Sequence, residues 1–103
     1  MRVVWTRKAR RGIDDLHAHI AKDSPINADG FVERILDAVA TLADTPRIGK
    51  VLPEAGGDEL VRQRIVQSQR VIYEIDDERQ VVSILALVHV RRDLATLRRK
   101  PWE

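Results

Sequence analysis

The sequence predicts an α+β fold, in which an N-terminal helical hairpin packs on one face of a small antiparallel sheet of about four strands and a short C-terminal helix follows. Two helical stripes of apolar residues occupy the first 42 positions, and between residues 61 and 90 the apolar positions recur with a period of two. A chain of 103 residues has the length of one domain, so 1–103 is predicted to be a single domain.

The composition is that of a globular protein, with 44% hydrophobic and 33% charged residues. The chain has no cysteine, which excludes disulfides and thiolate chemistry. The longest apolar run, Val81 to Val88, is interrupted by Ser83 and is too short to span a bilayer. The first eleven residues do not resemble a signal peptide. We therefore expect a cytoplasmic protein without a membrane partner.

The N-terminal elements carry clear start signals. Residues 2–5 are β-branched and aromatic and predict a strand, after which Thr6 is placed to cap a first helix. Ser24 and Pro25 have the cap and first-turn positions of a second helix, which ends before Thr45 because a residue preceding proline avoids helical angles. The apolar stripes that predict these helices are Ala9, Ile13, Leu16 and Ile20, then Ala28, Phe31, Ile35, Val39 and Leu42.

Residues 45–60 hold two prolines and three of the glycines and predict a long loop. Strands are predicted at 61–66, 70–76 and 81–90, with links at 67–69 and 77–80. A short helical segment over 92–99 follows, and Pro101 closes it.

The strand pattern favours one register. Pairing Ile75 with Val82 and Val66 with Arg70 gives a uniformly apolar face, which the helical hairpin is expected to cover. A slip of one residue would bring arginines into the core. The opposite face is then predicted to hold Arg62, Arg64, Arg70, Glu74, Ser83 and His89 around an exposed strip of Ile72, Leu85 and Leu87.

Apolar residues ringed by arginines need a cover. Two covers are open at this point: a partner protein, or the C-terminal segment folded back with Trp102.

Charge is unevenly distributed along the chain. Residues 1–11 carry five basic residues and no acid, and residues 90–103 carry five basic residues against Asp93 and Glu103, whereas the middle is acidic. If the two ends meet, they form a patch suited to phosphate or to an acidic protein. The alternative is an ordinary solvated surface.

The order and spacing of several stretches resemble RelE/ParE toxins of type II toxin–antitoxin modules. These stretches are residues 46–50 (PRIGK), 61–65 (VRQRI), 70–73 (RVIY) and 88–94 (VHVRRDL). The resemblance covers nearly the whole chain. It implies a small sheet carrying a helical hairpin, a cognate antitoxin that wraps the toxin, plasmid stabilisation, and growth inhibition once the antitoxin is degraded.

The resemblance leaves two targets open. RelE-type members are ribosome-dependent mRNA endonucleases, and in that case Arg70 would bind phosphate, His89 would serve as acid or base, and Glu54 or Glu74 is a conceivable base. ParE-type members are non-enzymatic poisons of DNA gyrase. The long hairpin and the His-x-Arg-Arg-Asp-Leu ending resemble that branch more closely, and there His89 is structural.

Residues expected to bind target or antitoxin are Arg62, Arg64, Glu74, Arg91, Arg92 and Trp102. No cofactor or metal site is predicted, because His17 and His19 are two apart on a helix and point to different sides. The diglycine at 56–57 lacks the preceding strand and the following Lys-Ser/Thr of a phosphate loop.

Overall fold

A computed structural model describes residues 1–103 and confirms the α+β class. The elements in chain order are β1 (Arg2–Trp5), α1 (Arg7–Ala21), α2 (Pro25–Ala40), β2 (Lys50–Val51), β3 (Val61–Val66), β4 (Gln69–Asp76) and β5 (Val81–His89). Single 3-10 turns lie at Thr41–Ala43, Pro46–Ile48, Pro53–Ala55 and Leu94–Thr96. The predicted short C-terminal helix is the last of these turns. Neither α-helix has the length and apolar character required to cross a membrane.

Both predicted helix starts are confirmed. The Thr6 hydroxyl accepts a hydrogen bond from the Ala9 amide at 3.2 Å, and the Ser24 hydroxyl accepts one from the Asn27 amide at 3.3 Å. Pro25 occupies the first position of α2, where no backbone donor is needed. The Thr6 hydroxyl also donates to the Ile84 carbonyl at 2.8 Å, so the same residue fixes α1 to the sheet.

The sheet has five strands in the order β1-β5-β4-β3-β2. The prediction of an antiparallel sheet is wrong in one respect, because β1 runs parallel to β5, with Arg2 opposite Val81 and Trp5 opposite Ile84. The other pairs are antiparallel. The additional strand, β2, has only two residues and lies within the predicted loop.

The main core lies between the helical hairpin and one face of β4 and β5, which we call the helix side of the sheet. The predicted pairs Ile75–Val82 and Tyr73–Ile84 are confirmed. The buried residues of the main core are Ala9, Ile13, Ile35, Val39, Leu42, Val71, Tyr73, Ile75, Val82 and Ile84.

The predicted register between β3 and β4 is wrong by one residue. Gln67 and Ser68 both have positive φ, 52° and 64°, and form a two-residue turn that sets Val66 opposite Gln69 instead of Arg70. A change of one residue moves every side chain of β3 to the other face. Arg62 and Arg64 therefore lie on the helix side, and Ile65 lies on the reverse side.

The arginines of β3 do not enter the core, because they lie beyond the part of the sheet that the hairpin covers. Arg64 donates to the Ala38 carbonyl at 3.2 Å and to the Thr41 hydroxyl at 2.7 Å, at the C-terminal end of α2. Arg62 donates to the Gly49 carbonyl at 3.0 Å and the Glu59 carbonyl at 2.9 Å. The expectation that this register buries arginines in apolar surroundings is thus wrong.

An irregularity between Ile72 and Tyr73 shifts the pairing of β4 with β5. Tyr73 lies opposite Ile84 but Ile72 lies opposite Ala86, so Leu85 is an extra residue in β5. Beyond this bulge the side chains of β5 exchange faces relative to the prediction. Leu87 packs against the main core, and Ala86 and Val88 lie on the reverse side.

A second core covers the reverse side of the sheet. Its buried residues are Leu52, Val61, Ile72, Ala86, Val88 and Leu94, and Ala55, Leu85, Leu97 and Trp102 pack against it. The loop before β3 and the C-terminal tail supply the cover, so of the two covers left open by the sequence the folded-back tail is confirmed. The predicted exposed strip is wrong, since Ile72 is fully buried.

Candidate functional site

Arg70 and His89 lie on opposite faces of the sheet. Arg70 is opposite Val88 on the reverse side, and His89 is opposite Gln69 on the helix side. The predicted shared surface of these two residues is therefore wrong. The exposed His89 ring accepts a hydrogen bond at Nδ1 from the Arg91 amide at 3.1 Å, which stabilises the turn after β5.

Arg70 is a half-buried cation without a carboxylate partner. Its guanidinium donates to the Gln63 side-chain oxygen at 2.7 Å and to the Val90 carbonyl at 3.2 Å. Its Nε is buried and has no hydrogen-bond partner. This unsatisfied buried donor is costly, and the same burial keeps it out of reach of an added ligand.

Three further residues share this surface. Lys50 lies opposite Gln63, and Ile65 lies opposite Arg70 with 59% of its surface exposed. We call Lys50, Gln63, Ile65 and Arg70 the Arg70 surface. Sequence reasoning missed Gln63 and Ile65, because the three-residue link predicted between β3 and β4 placed them on the other face. It missed Lys50 because residues 45–60 were predicted to be a loop.

The other residues predicted to bind are dispersed. Arg62 and Arg64 donate to the carbonyls and the hydroxyl described above, on the opposite side of the sheet from Arg70. Glu74 is exposed on the reverse side, but four residues of strand place it about 13 Å from Arg70. These residues do not form one site with Arg70.

The residues near the C-terminus that were predicted to bind a target or an antitoxin lie in two different places. Arg91 and Arg92 are exposed in the turn after β5, and neither side chain makes a hydrogen bond or ion pair. Trp102 is half-buried against the second core. Trp102 is thus first of all part of the cover of the sheet.

One ion pair connects the loop before β2 with the turn before β5. Arg47 donates to both carboxylate oxygens of Asp77, at 2.7 and 3.2 Å. This hydrogen bonding from Arg47 holds the pKa of Asp77 below its usual value, and it raises the pKa of Arg47. Both side chains are about half exposed, so the pair is a surface tie of modest strength.

An apolar groove lies beside β1, at one edge of the sheet. The Arg2 amide donates to the Gln80 carbonyl just before β5 at 2.9 Å, and the Thr6 amide donates to the Ile84 carbonyl of β5 at 3.1 Å. The alternation of the strand therefore directs the main-chain groups of Val3 and Trp5 away from β5. The Trp5 carbonyl accepts from Arg10 Nε at 3.3 Å. The groove is lined by Val3, Val4, Trp5, Arg10, Ile13 and Leu36.

The two basic ends of the chain meet. Lys8 donates to the Pro101 carbonyl at 2.8 Å, and Lys100 donates to the Leu94 and Ala95 carbonyls at 3.1 Å each. A cleft between the ends is lined by Lys8, Arg99, Lys100 and Glu103, with no apolar residue. The two basic ends therefore lie together in space, which is the arrangement required for a shared basic patch.

Comparison with known proteins identifies a family whose sequence model matches this chain. Residues 3–94 match the model of the family described as the ParE toxin of the type II toxin–antitoxin system, parDE. A protein of Sinorhizobium fredii (strain NBRC 101917 / NGR234), named as a candidate toxin, Y4kP, is 43% identical over 49 residues. That alignment covers 48% of this chain and 51% of the relative, so the match spans about half of the curated protein.

Two solved structures share the fold. A chain of the chromosomal ParDE TA system from P. aeruginosa superposes with a TM-score of 0.72 at 22% identity, covering 88% of this chain and 97% of that one. A chain of the toxin–antitoxin complex RelBE2 from Mycobacterium tuberculosis superposes with a TM-score of 0.62 at 25% identity, covering 85% and 95%.

Proposed function

The chain belongs to the ParE toxin family of type II toxin–antitoxin systems, and we propose that it inhibits growth by binding DNA gyrase without cleaving mRNA. The separation of Arg70 and His89 onto opposite faces carries this proposal. RNA cleavage by general acid–base catalysis needs an acid, a base and a phosphate-binding cation within reach of one phosphate. The Arg70 surface offers two cations but neither a histidine nor a carboxylate.

The target is tested by adding the purified toxin to gyrase supercoiling and cleavage assays and, in parallel, to translating ribosomes with mRNA. We expect inhibited supercoiling and intact mRNA. A His89→Ala variant should inhibit gyrase as well as the matched surface variant His19→Ala does, because His89 only supports a local turn. Cleaved mRNA with unaffected supercoiling would instead identify the endonuclease that the sequence left as the alternative.

The proposal includes a cognate antitoxin that occupies the apolar groove beside β1. The ParDE and RelBE2 structures are toxin–antitoxin systems, and the groove supports such a partner in this chain. The outward main-chain groups of Val3 can pair with an extended segment beside the Trp5 carbonyl that Arg10 occupies, while alternate side chains of that segment enter the groove. Arg10 at the rim favours a segment with apolar residues followed by an acidic one.

Leu36 gives a direct test of this docking. It is 44% exposed and lines the groove, so Leu36→Glu should weaken antitoxin binding at least about tenfold by placing a charge in a desolvated contact. Ile26 is 84% exposed and does not line the groove, so Ile26→Glu is the matched control. Binding is measured by calorimetry with the antitoxin encoded beside the toxin. Equal effects of the two variants would place the antitoxin elsewhere.

A further inference from the structure

Five basic residues from the two ends of the chain form one surface region. Arg7, Lys8 and Arg11 lie on α1 within about 100° of helical arc, on the side away from the buried Ala9. The tail adds two more next to them, through the Lys8–Pro101 hydrogen bond and the shared cleft. We call this region the terminal basic patch, and its members are Arg7, Lys8, Arg11, Arg99 and Lys100.

No ion pair neutralises a charge of the terminal basic patch. The structure contains three ion pairs, which join His17 to Asp29, Arg47 to Asp77 and Arg79 to Asp76, and none includes a patch residue. Lys8 and Lys100 donate to backbone carbonyls, which orients them and leaves their charge in place. Glu103 is the one carboxylate that lines the cleft. Asp14 and Asp15 follow Arg11 by three and four positions on the same side of α1, so the positive potential is greatest at the cleft, where Lys8, Arg99 and Lys100 meet.

The lining of the cleft distinguishes between ligands. A docked protein segment requires apolar anchors, and this cleft has none, in contrast with the groove beside β1. A phosphate backbone requires only cations and hydrogen-bond donors. A single strand would also require exposed aromatic rings for stacking, but the two aromatic residues nearest in sequence, Trp5 and Trp102, pack against the main core and the second core.

From these observations we infer that the terminal basic patch binds the phosphate backbone of duplex DNA without sequence preference. The choice of DNA over other polyanions rests on the proposed function, because gyrase works on duplex DNA. The toxin would then recognise gyrase together with the DNA that gyrase holds, with the patch on the phosphates and the remaining surface on the protein.

DNA binding is measured with the full-length toxin alone, by fluorescence anisotropy with a labelled duplex of mixed sequence. Four phosphate contacts predict a loss of affinity of about 100-fold between 50 and 200 mM salt. The duplex should bind more tightly than a single strand of the same length. No binding at 50 mM salt, or tighter binding of the single strand, would overturn the inference.

The variant that tests the patch is Arg7→Glu/Arg11→Glu/Arg99→Glu, because none of these exposed side chains makes a hydrogen bond and folding should be unaffected. It should lose DNA affinity at least about tenfold. The control is Arg2→Glu/Lys22→Glu/Arg34→Glu, which changes the net charge equally at exposed positions outside the patch that form no ion pair, and it should stay within about twofold. Equal losses in both variants would contradict a localised site.

The outcomes for gyrase and for DNA are separable. A toxin that binds duplex DNA through the patch but does not inhibit gyrase keeps this inference and refutes the proposed function. A toxin that inhibits gyrase but binds no DNA keeps the proposed function and refutes this inference. If the patch variant loses antitoxin binding while its DNA binding is unchanged, the patch is a protein contact and the inference is wrong.

Discussion

The phenol of Tyr73 fixes the loop between α2 and β2 to the sheet. Tyr73 is fully buried, donates to the Pro46 carbonyl at 2.7 Å and accepts from the Gly49 amide at 2.9 Å. Gly49 is required for space, because a Cβ there would collide with the Tyr73 hydroxyl and approach the Gln63 carbonyl to 2.6 Å. Gln63 and Lys50 belong to the Arg70 surface, so this contact also positions one edge of that surface.

Replacing Tyr73 by Phe should lower the free energy of unfolding by about 1–3 kcal/mol, because the buried Gly49 amide and the Pro46 carbonyl lose their partner. Burial also raises the pKa of Tyr73 above its ordinary 10.0, so the unfolded chain loses this proton at a lower pH than the folded protein. The stabilisation is complete below about pH 10 and declines as the pH rises through the folded-state pKa.

Urea denaturation of both proteins at neutral pH and above pH 10 measures these effects. The difference between wild type and Tyr73→Phe should shrink at high pH, and the variant itself controls for titration of the lysines. A difference that stays constant or grows with pH would contradict the role assigned to the phenol.

At the scale of elements, the turn between β3 and β4 determines which side chains each face presents. Gln67 and Ser68 adopt left-handed angles that cost L-residues about 1–2 kcal/mol each. The cost is offset because the resulting register lets Arg64 reach the end of α2, which has no basic residue in its own last turn. A cation at the C-terminal end of a helix stabilises it, because the cation is attracted to the exposed carbonyls and to the negative end of the helix dipole.

Glycine substitutions in two places test the turn. Ser68→Gly should raise the free energy of unfolding by about 0.5–1 kcal/mol, because glycine adopts positive φ without steric cost. Ser83→Gly makes the same chemical change inside β5 and should lower the stability by about 0.5–1 kcal/mol. Thermal and urea unfolding give both values, and a destabilising Ser68→Gly would mean that the turn is not strained.

At the scale of the whole molecule, both faces of the sheet are used for folding. The hairpin covers one face, and the loop with the C-terminal tail covers the other. What remains for partners is the periphery: the groove at β1, the Arg70 surface near β2 and the terminal basic patch. These three surfaces lie outside both cores, so they are the ones available to the antitoxin and to the target proposed above.

Local sequence signals determined the two helices and the strands β1, β3, β4 and β5, but not the two-residue strand β2. The caps at Thr6 and Ser24, the helical stripes, the start of β3 and the clustering of basic residues at both ends were all predictable, because each depends on neighbouring residues along the chain. The family resemblance came from the same local stretches and is confirmed by the match over residues 3–94.

Tertiary structure decided how the faces are composed. The register of β3 depends on left-handed angles at Gln67 and Ser68, which these residue types do not signal, and the bulge at Leu85 exchanges the faces of the end of β5. The parallel pairing of β1 and the cover over Ile72 depend on contacts between distant segments. The elements were therefore fixed by short-range propensity, whereas the grouping of Arg70 with Lys50 instead of His89 was fixed only when the strands paired.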